Sequence, residues 1–328
     1  MTRKINNSYE LGQSNAPTDG GDMLKTRGDG TLVWEGVADT TFVPFHFAGT
    51  NYGFHSGGGD TINRFAFSSN TTATDWGNLT QARNGISGHS SSTDGFNAGG
   101  HTGGYLNIID KFSFTSSSGA SDHGDLNNNA YGPAGSSSTT QGFASGGRNA
   151  VNVIDKFDFS SNTTATDHGD LSRSHGDSPS GHTSSDSGWV AGGYSSGYVN
   201  SITKFSFASN VTGSDHGDLS VARHWMAGSS SSTAGFCAGG HTGAKINTID
   251  TFNFSSNTTA SDHGDLAINA HAGAGQSHTD YGFWSGGETD GSEVQTTINR
   301  YAFSSNTTAS DWGDLAEAGH SSNSGHQY

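Results

Sequence analysis

Four adjacent Asp-His pairs, Asp122/His123, Asp167/His168, Asp215/His216 and Asp262/His263, are the residues here that most readily suggest metal ligation or proton transfer. A hard cation is held by carboxylates and carbonyls gathered at one point. Neighbouring residues on an extended strand point to opposite faces, so the members of a pair do not converge on one ion. The expectation is structural: each Asp bonds backbone at a bend, and each His packs as an aromatic plate, as does Trp in the equivalents Trp76 and Trp312. A divalent cation held by carboxylates and carbonyls is the alternative. No metal and no cofactor is expected.

Other reactive groups are sparse. Cys237 is the single cysteine, which excludes an internal disulfide framework and a Cys-based zinc site. It lies in the run Phe236-Cys-Ala-Gly-Gly, where other units carry Asn97, Ser145 nearby, or Ala191, so packing is expected of it rather than nucleophilic attack. Asn-Thr-Thr at Asn70, Asn162, Asn257 and Asn306 fits the glycosylation acceptor pattern. It sits in the same turn in all four units that carry it, which turn chemistry explains without a sugar. Glycosidases need two carboxylates at a defined separation, whereas the repeated Asp residues offer only unspecific pairs. His-Glu-x-x-His and the phosphate loop are missing. No catalytic residue is assigned, and the chain is expected not to be an enzyme.

These residues recur because the chain repeats. The run Asp-(His/Trp)-Gly-(Asp/Asn)-Leu begins at Asp75, Asp122, Asp167, Asp215, Asp262 and Asp311, at intervals of 45 to 49 residues. A period of that size marks stacked supersecondary units. Leu79-Thr-Gln-Ala-Arg83, Gly88 to Gly100, Ile109-Asp-Lys-Phe-Ser-Phe114 and Asp122 to Leu126 align with Leu219 to Arg223, Gly228 to Gly240, Ile249 to Phe254 and Asp262 to Leu266. Four short segments bounded by Gly, Ser, Asn or Asp predict four strands per unit, here a to d. Paired glycines fall once per unit, from Gly57/Gly58 to Gly286/Gly287, and predict strand ends that need positive φ or a close backbone neighbour. Helical periodicity is absent.

Composition alone points elsewhere. A hydrophobic fraction of 30% and a formal charge of −16 approach a disordered chain. Yet only 13% of residues are charged, and the 19 Phe residues are placed periodically. Aromatic side chains bury enough area that a few per unit support a core. The acidic balance argues against a nucleic-acid partner, no apolar run is long enough for membrane insertion, and no secretory signal is expected.

The order Leu-x-x-Ala-Arg, Gly-Phe-x-Ala-Gly-Gly, an aromatic-ended strand and Asp-Trp-Gly-Asp-Leu resembles a kelch-type propeller repeat, with His123, His168, His216 and His263 departing from the usual Trp. The longer wording Ile-Asp-Lys-Phe-x-Phe-Ser-Ser-Asn-Thr-Thr-Ala-x-Asp-x-Gly-Asp-Leu is similar to repeats of virion structural proteins of marine tailed phages, over roughly residues 52 to 328. The fold expected is all-β: a six-bladed kelch-like propeller over 41–328, four strands per blade, behind an N-terminal attachment segment over 1–40. Gly319-His-Ser-Ser-Asn-Ser-Gly325 copies Gly88-His-Ser-Ser, so the C-terminal tail is expected to supply strand a of the first blade. The alternative places Phe45 to Thr50 there. Asp22 to Trp34 predicts a hairpin around Arg27-Gly-Asp-Gly30, whose wording is similar to the start of many phage fibre and tail proteins. It is either a flexible leader or a dock for another virion protein, and Arg27-Gly-Asp is a turn rather than an adhesion signal.

The a–b and c–d turns barely vary between units, whereas the d–a and b–c connections vary strongly, and in a four-stranded blade both variable sets emerge on one face. Loops on a rigid scaffold carry recognition, and Tyr, Trp and Arg are frequent anchors. Tyr131, Tyr194, Tyr198, His224, Trp225, Arg148, His101 and His241 are the candidate binding residues, for a host-surface glycan or protein. What the resemblance implies is a virion component (tail fibre, appendage or capsid decoration), assembled in the host cytoplasm as an oligomer. A secreted glycan-binding or glycan-active propeller and a cellular kelch-type adaptor are the alternatives.

Overall fold

The computed structural model describes residues 22–26 and 32–36 as backbone, and residues 49–149, 152–291, 293–319 and 324–327. Asp22–Thr26 and Leu32–Gly36 pair antiparallel with Leu24 opposite Trp34, giving the expected hairpin strands. The Arg27–Gly30 turn lies outside the described residues. That hairpin falls in one compact unit, Met1–Phe45, and the repeats fall in another, His46–Tyr328.

The second unit is a six-bladed β-propeller, each blade an antiparallel sheet in the order a-b-c-d, with Glu288–Thr289 added beyond strand d in blade 5. Blade 2 takes its strands from Ser87–Ser90, Asp94–Ala98, Leu106–Ser113 and Ser121–Ala130. Blade 3 has Ala134–Ser137, Gln141–Ser145, Val153–Asp158 and Thr166–Asp170. Blade 4 has Ser180–Thr183, Ser187–Ala191, Ser201–Ser206 and Ser214–Asp218. Blade 5 has Ala227–Ser230, Ala234–Ala238, Ile246–Asn253 and Ser261–His271. Blade 6 has Ala274–Ser277, Tyr281–Ser285, Gln295–Ala302 and Ser310–Gly319.

Blade 1 is built from both ends of the ring. Its b, c and d strands are Tyr52–Ser56, Gly59–Ala66 and Thr74–Arg83, and its a strand is Ser324–Gln327, with His326 opposite Phe54. The tail thus closes the wheel and covers a sheet edge. Gly49 pairs elsewhere, its N–H donating to Ser277 O of blade 6 at 2.8 Å. Phe45–Ala48, the rest of the alternative strand, lie outside the described residues.

Periodic phenylalanines become the glue between blades. A b-strand aromatic stacks on the aromatic just after strand c of the next blade: Phe96 on Phe159 at 4.5 Å, Phe143 on Phe207 at 4.6 Å, Trp189 on Phe254 at 4.0 Å. Phe236 on Phe303, Phe283 on Phe67 and Phe54 on Phe114 complete the circuit. The core is therefore a ring of inter-blade layers, each sealed by large apolar area.

At the axis the constraint is reversed. The second residues of the a strands are Gly325, Gly88, Gly135, Gly181, Gly228 and Gly275. A Cβ added to any of them would overlap the carbonyl oxygen of the preceding glycine in the circle. Six backbones touch there, and only glycine permits it. Farther out, the paired glycines hold positive φ, for example 73° at Gly99 and 117° at Gly100, as their strand-end role requires.

Four blades carry c–d pairing outward to Gly59↔Arg83, Leu106↔Ala130, Ile246↔Ala270 and Gln295↔Gly319. In blades 3 and 4 regular pairing stops at Val153↔Asp170 and Ser201↔Asp218. The sheet is shortened there at one end, the end that bears the variable loops.

Candidate functional site

The d–a and b–c connections do share one face, and backbone bonds stitch them together between blades. Asn84 bridges His101, Tyr131 bridges Arg148, and His224 bridges His241. Tyr194 N donates to Gly176 O at 2.9 Å, and His271 pairs with Glu288. Each variable side chain is thereby fixed relative to the next blade's loop.

All eight residues singled out from the sequence enter one continuous belt on this face. His101 meets Tyr131 edge-on at 5.9 Å, and the Arg148 guanidinium lies 5.5 Å from the Tyr131 ring. Arg148 also pairs with Asp177 at 2.7 Å, and Asp177 lies 3.9 Å from His224 Nδ1. Hydrogen bonding to Tyr105, with that to Asp177, pushes the Arg148 pKa above its ordinary value. His224 stacks on Trp225 at 4.3 Å and contacts Tyr194, Tyr198 and His241 at 5.6, 5.5 and 5.6 Å. Tyr198 OH lies 3.2 Å from His241 Nδ1. Burial pushes the His224 imidazole down to about 4 and lowers His241 as well, so both rings are neutral at neutral pH.

Several members were not singled out from the sequence. Tyr105 packs on Tyr131 at 5.9 Å, and His271 packs edge-on against Trp225 at 4.8 Å. Glu288 joins His271 at 3.2 Å and Lys245 at 3.5 Å. Their repeat positions give the signal that finds them: His271 aligns with His224 and Tyr131, and Tyr105 with Tyr198 and Lys245.

Trp225 belongs to a ring of backbone bonds that links the d–a connections. Around the axis on this face, Gly132 N donates to Gly85 O, Ser178 N to Gly132 O, Trp225 N to Ser178 O and Ala272 N to Trp225 O, at 2.7 to 3.1 Å. This chain of bonds demands the left-handed region, φ being 67° at Gly85, 61° at Gly132, 50° at Ser178, 56° at Trp225 and 59° at Ala272. A non-glycine residue there costs about 1–2 kcal/mol, and such strain gathers at functional positions. Ser178, Trp225 and Ala272 all bear this strain, and Trp225 is the one of the three with a large aromatic side chain.

The Asp-(His/Trp) runs lie outside the belt and take structural roles. Asp75, Asp167, Asp262 and Asp311 each accept the N–H two residues on at 2.8 or 2.9 Å. The aromatic plates also do something unforeseen. His123, His168, His216 and His263 donate Nε2–H to carbonyls of the next blade, Asp158, Ser206, Asn253 and Ala302, at 2.8 to 2.9 Å. Trp76 and Trp312 donate Nε1–H to Ser113 O and Ala66 O. Imidazole and indole interchange because each is a flat ring with an N–H at one edge. Trp occurs where strand c supplies an arginine to cover it: Arg64 and Arg300 each lie 3.8 Å from the indole of their own blade. Among the described residues, no group of three or more His, Cys, Asp or Glu converges as metal ligands do.

The Asn-Thr-Thr turns likewise brace neighbours. Asn162, Asn257 and Asn306, with Asn210 of the Asn-Val-Thr turn in blade 4, donate through Nδ2 to the d-strand carbonyls of Asp122, Asp215, Asp262 and Asp167 respectively at 3.1 to 3.3 Å. The strand registers correct the alignment of Cys237: it faces Asp250, so its equivalents are Ala144 and Val190 rather than Ser145 or Ala191. Cys237 is wholly buried, 3.2 Å from His182 Nε2. Burial pushes the thiol up to about 12 and the imidazole down to about 4, opposite to what an activated thiolate needs.

Conserved-looking repeat positions hide one more inter-blade contact. Arg83–Asp110 at 2.8 Å and Arg223–Asp250 at 3.1 Å are ion pairs whose side chains are fully buried. At the interface of blades 2 and 3 the arginine position is Ala130, leaving Asp155 buried with Oδ1 unpartnered. No protein-family model matches this chain, and no curated protein matches it.

Proposed function

We propose that this chain is a non-enzymatic virion structural protein of a tailed phage, serving as a tail fibre, appendage or capsid decoration. The ring is its scaffold, and the belt from His101 to Glu288 is its recognition face. The N-terminal segment attaches it to other virion proteins in an oligomeric assembly formed in the host cytoplasm. One observation carries this reading: eight side chains, chosen in the variable loops for their residue types, enter one continuous belt on one face, with Trp225 stacked at its centre on His224. Fixed aromatic anchors of this kind supply contact area at low conformational entropy. The likeness of the repeats to phage virion proteins supports the virion context.

The test has two parts. Imaging of purified particles with an antibody against the ring should place the protein on the virion; its absence from particles would refute the assignment. Replacing Tyr194 and Trp225 together with Ala should cut binding of the isolated protein to host-cell surfaces by at least tenfold. Undiminished binding by a double variant with an unchanged far-UV spectrum would remove the belt as the recognition face.

A further inference from the structure

Where pairing stops short in blades 3 and 4, a groove of about 420 Å³ opens between the d–a connection of blade 3 and the b–c loop of blade 4. Arg173, Ser195, Ser196, Tyr198 and Asn200 line it. Its volume falls within the ordinary range of small-ligand sites. We propose that this groove binds an acidic saccharide, with Arg173 receiving the sugar carboxylate and Tyr198 stacking on the ring; this deepens the recognition reading above and rests on it.

Three observations carry the assignment. The first is Arg173 itself. Six arginines are described. Arg83, Arg148 and Arg223 pair with aspartates, and Arg64 and Arg300 lie on tryptophans. Arg173 alone, among the described residues, has neither partner and stands exposed in a chain of formal charge −16. A planar guanidinium left open in this way matches a carboxylate in two parallel bonds.

The second observation is the aromatic wall. Tyr198 is 37% exposed, and its neighbour Tyr194 is 40% exposed. Equivalent loops in blades 2 and 5 begin with His101 and His241 and close on the half-buried Tyr105 and Lys245. Tyr198 is held in place by its bond to His241 and by edge contacts with Tyr194 at 5.2 Å and His224 at 5.5 Å. A rigid, open aromatic face is suited to the C–H face of a pyranose. The third is the rest of the lining: Ser195, Ser196 and Asn200 offer hydroxyl and amide groups to sugar hydroxyls, in a loop tied by Ser195 N to Gly197 O and Val199 N to Gly193 O. Pre-tied loops lose little entropy on binding.

The full chain should be applied to an array of uronic-acid, sialic-acid and sulfated saccharides printed beside their neutral counterparts, followed by titration calorimetry with trigalacturonate and with its methyl triester. Acidic members should bind and the triester should bind at least tenfold more weakly. Arg173→Gln, an exposed change that spares the core, should lose at least tenfold, Tyr198→Ala likewise, and Tyr198→Phe should retain binding. Equal binding of acidic and neutral sugars, absence of binding to every printed saccharide, or full binding by Arg173→Gln would overturn the proposal. Host-cell binding that persists in Arg173→Gln but fails in the Tyr194/Trp225 double variant would leave the recognition face standing and sink the saccharide groove alone.

Discussion

The amide of Gln327 donates to Ser90 Oγ across 3.3 Å, and this bond completes a circle. Ser90 N donates to Ser137 Oγ, Ser137 N to Thr183 Oγ1, Thr183 N to Ser230 Oγ and Ser230 N to Ser277 Oγ, at 2.9 to 3.2 Å. Ser277 N reaches Gln327 Oε1 at 3.4 Å, so one longer side chain stands in where the other blades use Ser or Thr. Blade 1 joins the circle only through the C-terminal strand.

That closure is open to direct test. Gln327→Ala leaves the Ser277 amide without its acceptor and should lower stability by about 1 kcal/mol. Gly325→Ala drives a methyl into the Gly275 carbonyl and should lower it by about 1–3 kcal/mol. Deleting residues 316–328 should cost more than either, and a melt unchanged by the deletion would show that the tail does not close the ring. Gly59→Ala, where an added Cβ meets nothing within 4 Å, is the control and should shift stability by no more than about 0.5 kcal/mol.

Acid should open the wheel through its buried imidazoles. Burial lowers His55 and His326 to about 3, and His89, His175 and His182 to about 4. These values lie below the unfolded value of about 6.5, so the unfolded chain binds more protons in between. Stability is therefore full above pH 6.5 and falls as pH drops towards 4, by up to about 1.4 kcal/mol per pH unit for each histidine. Denaturant melts at pH 7, 6, 5 and 4 check this. A flat profile would contradict it, and His89→Gln should flatten it in part.

Asp155 predicts the opposite slope. Burial raises its carboxyl to about 6, above its unfolded value, so the folded state resists ionisation and loses stability as pH climbs from about 4 to 6. Asp155→Asn keeps an acceptor for the Asn128 amide, 3.2 Å away, and removes the uncompensated charge. It should gain on the order of 2 kcal/mol at pH 8 and nothing at pH 4. Asp250→Asn, which strips the partner from a buried Arg223, should instead lose about 3–5 kcal/mol. Urea titrations of both variants at the two pH values separate the cases.

The repeated imidazole is predicted to be a donor as much as a plate. His263→Phe keeps the packing on Phe236, at 4.8 Å, but leaves Ala302 O without its bond. It should cost about 1–2 kcal/mol in thermal or chemical melts. An unchanged melt would show that ring packing alone accounts for the position.

Period, blade count and closure were legible because each depends on local pattern: turn residues at fixed spacing, one Asp-x-Gly bend per unit, and a tail that copies strand a. The variable face was legible for a similar reason, since strand alternation fixes which loops share an end. What stayed hidden depends on the neighbouring blade. Gly88 reads as a turn or strand glycine until the Gly325 carbonyl is seen where its Cβ would go. His123 reads as an Asp partner until Asp158 O of the next blade is seen at 2.9 Å. The groove was hidden because nothing in Leu171-Ser-Arg-Ser-His175 signals that its strand ends five residues earlier than in blade 2. The Cys237 register was misjudged because Phe-x-x-Gly tolerates a one-residue slip on paper, whereas pairing with Asp250 does not.

The missing outer pairs of blades 3 and 4 put a notch at one azimuth of the ring. An object so marked has a front. Anything that mounts it on a larger body has to fix its rotation about the hub as well as its tilt, or the notch will point inward on some copies and outward on others.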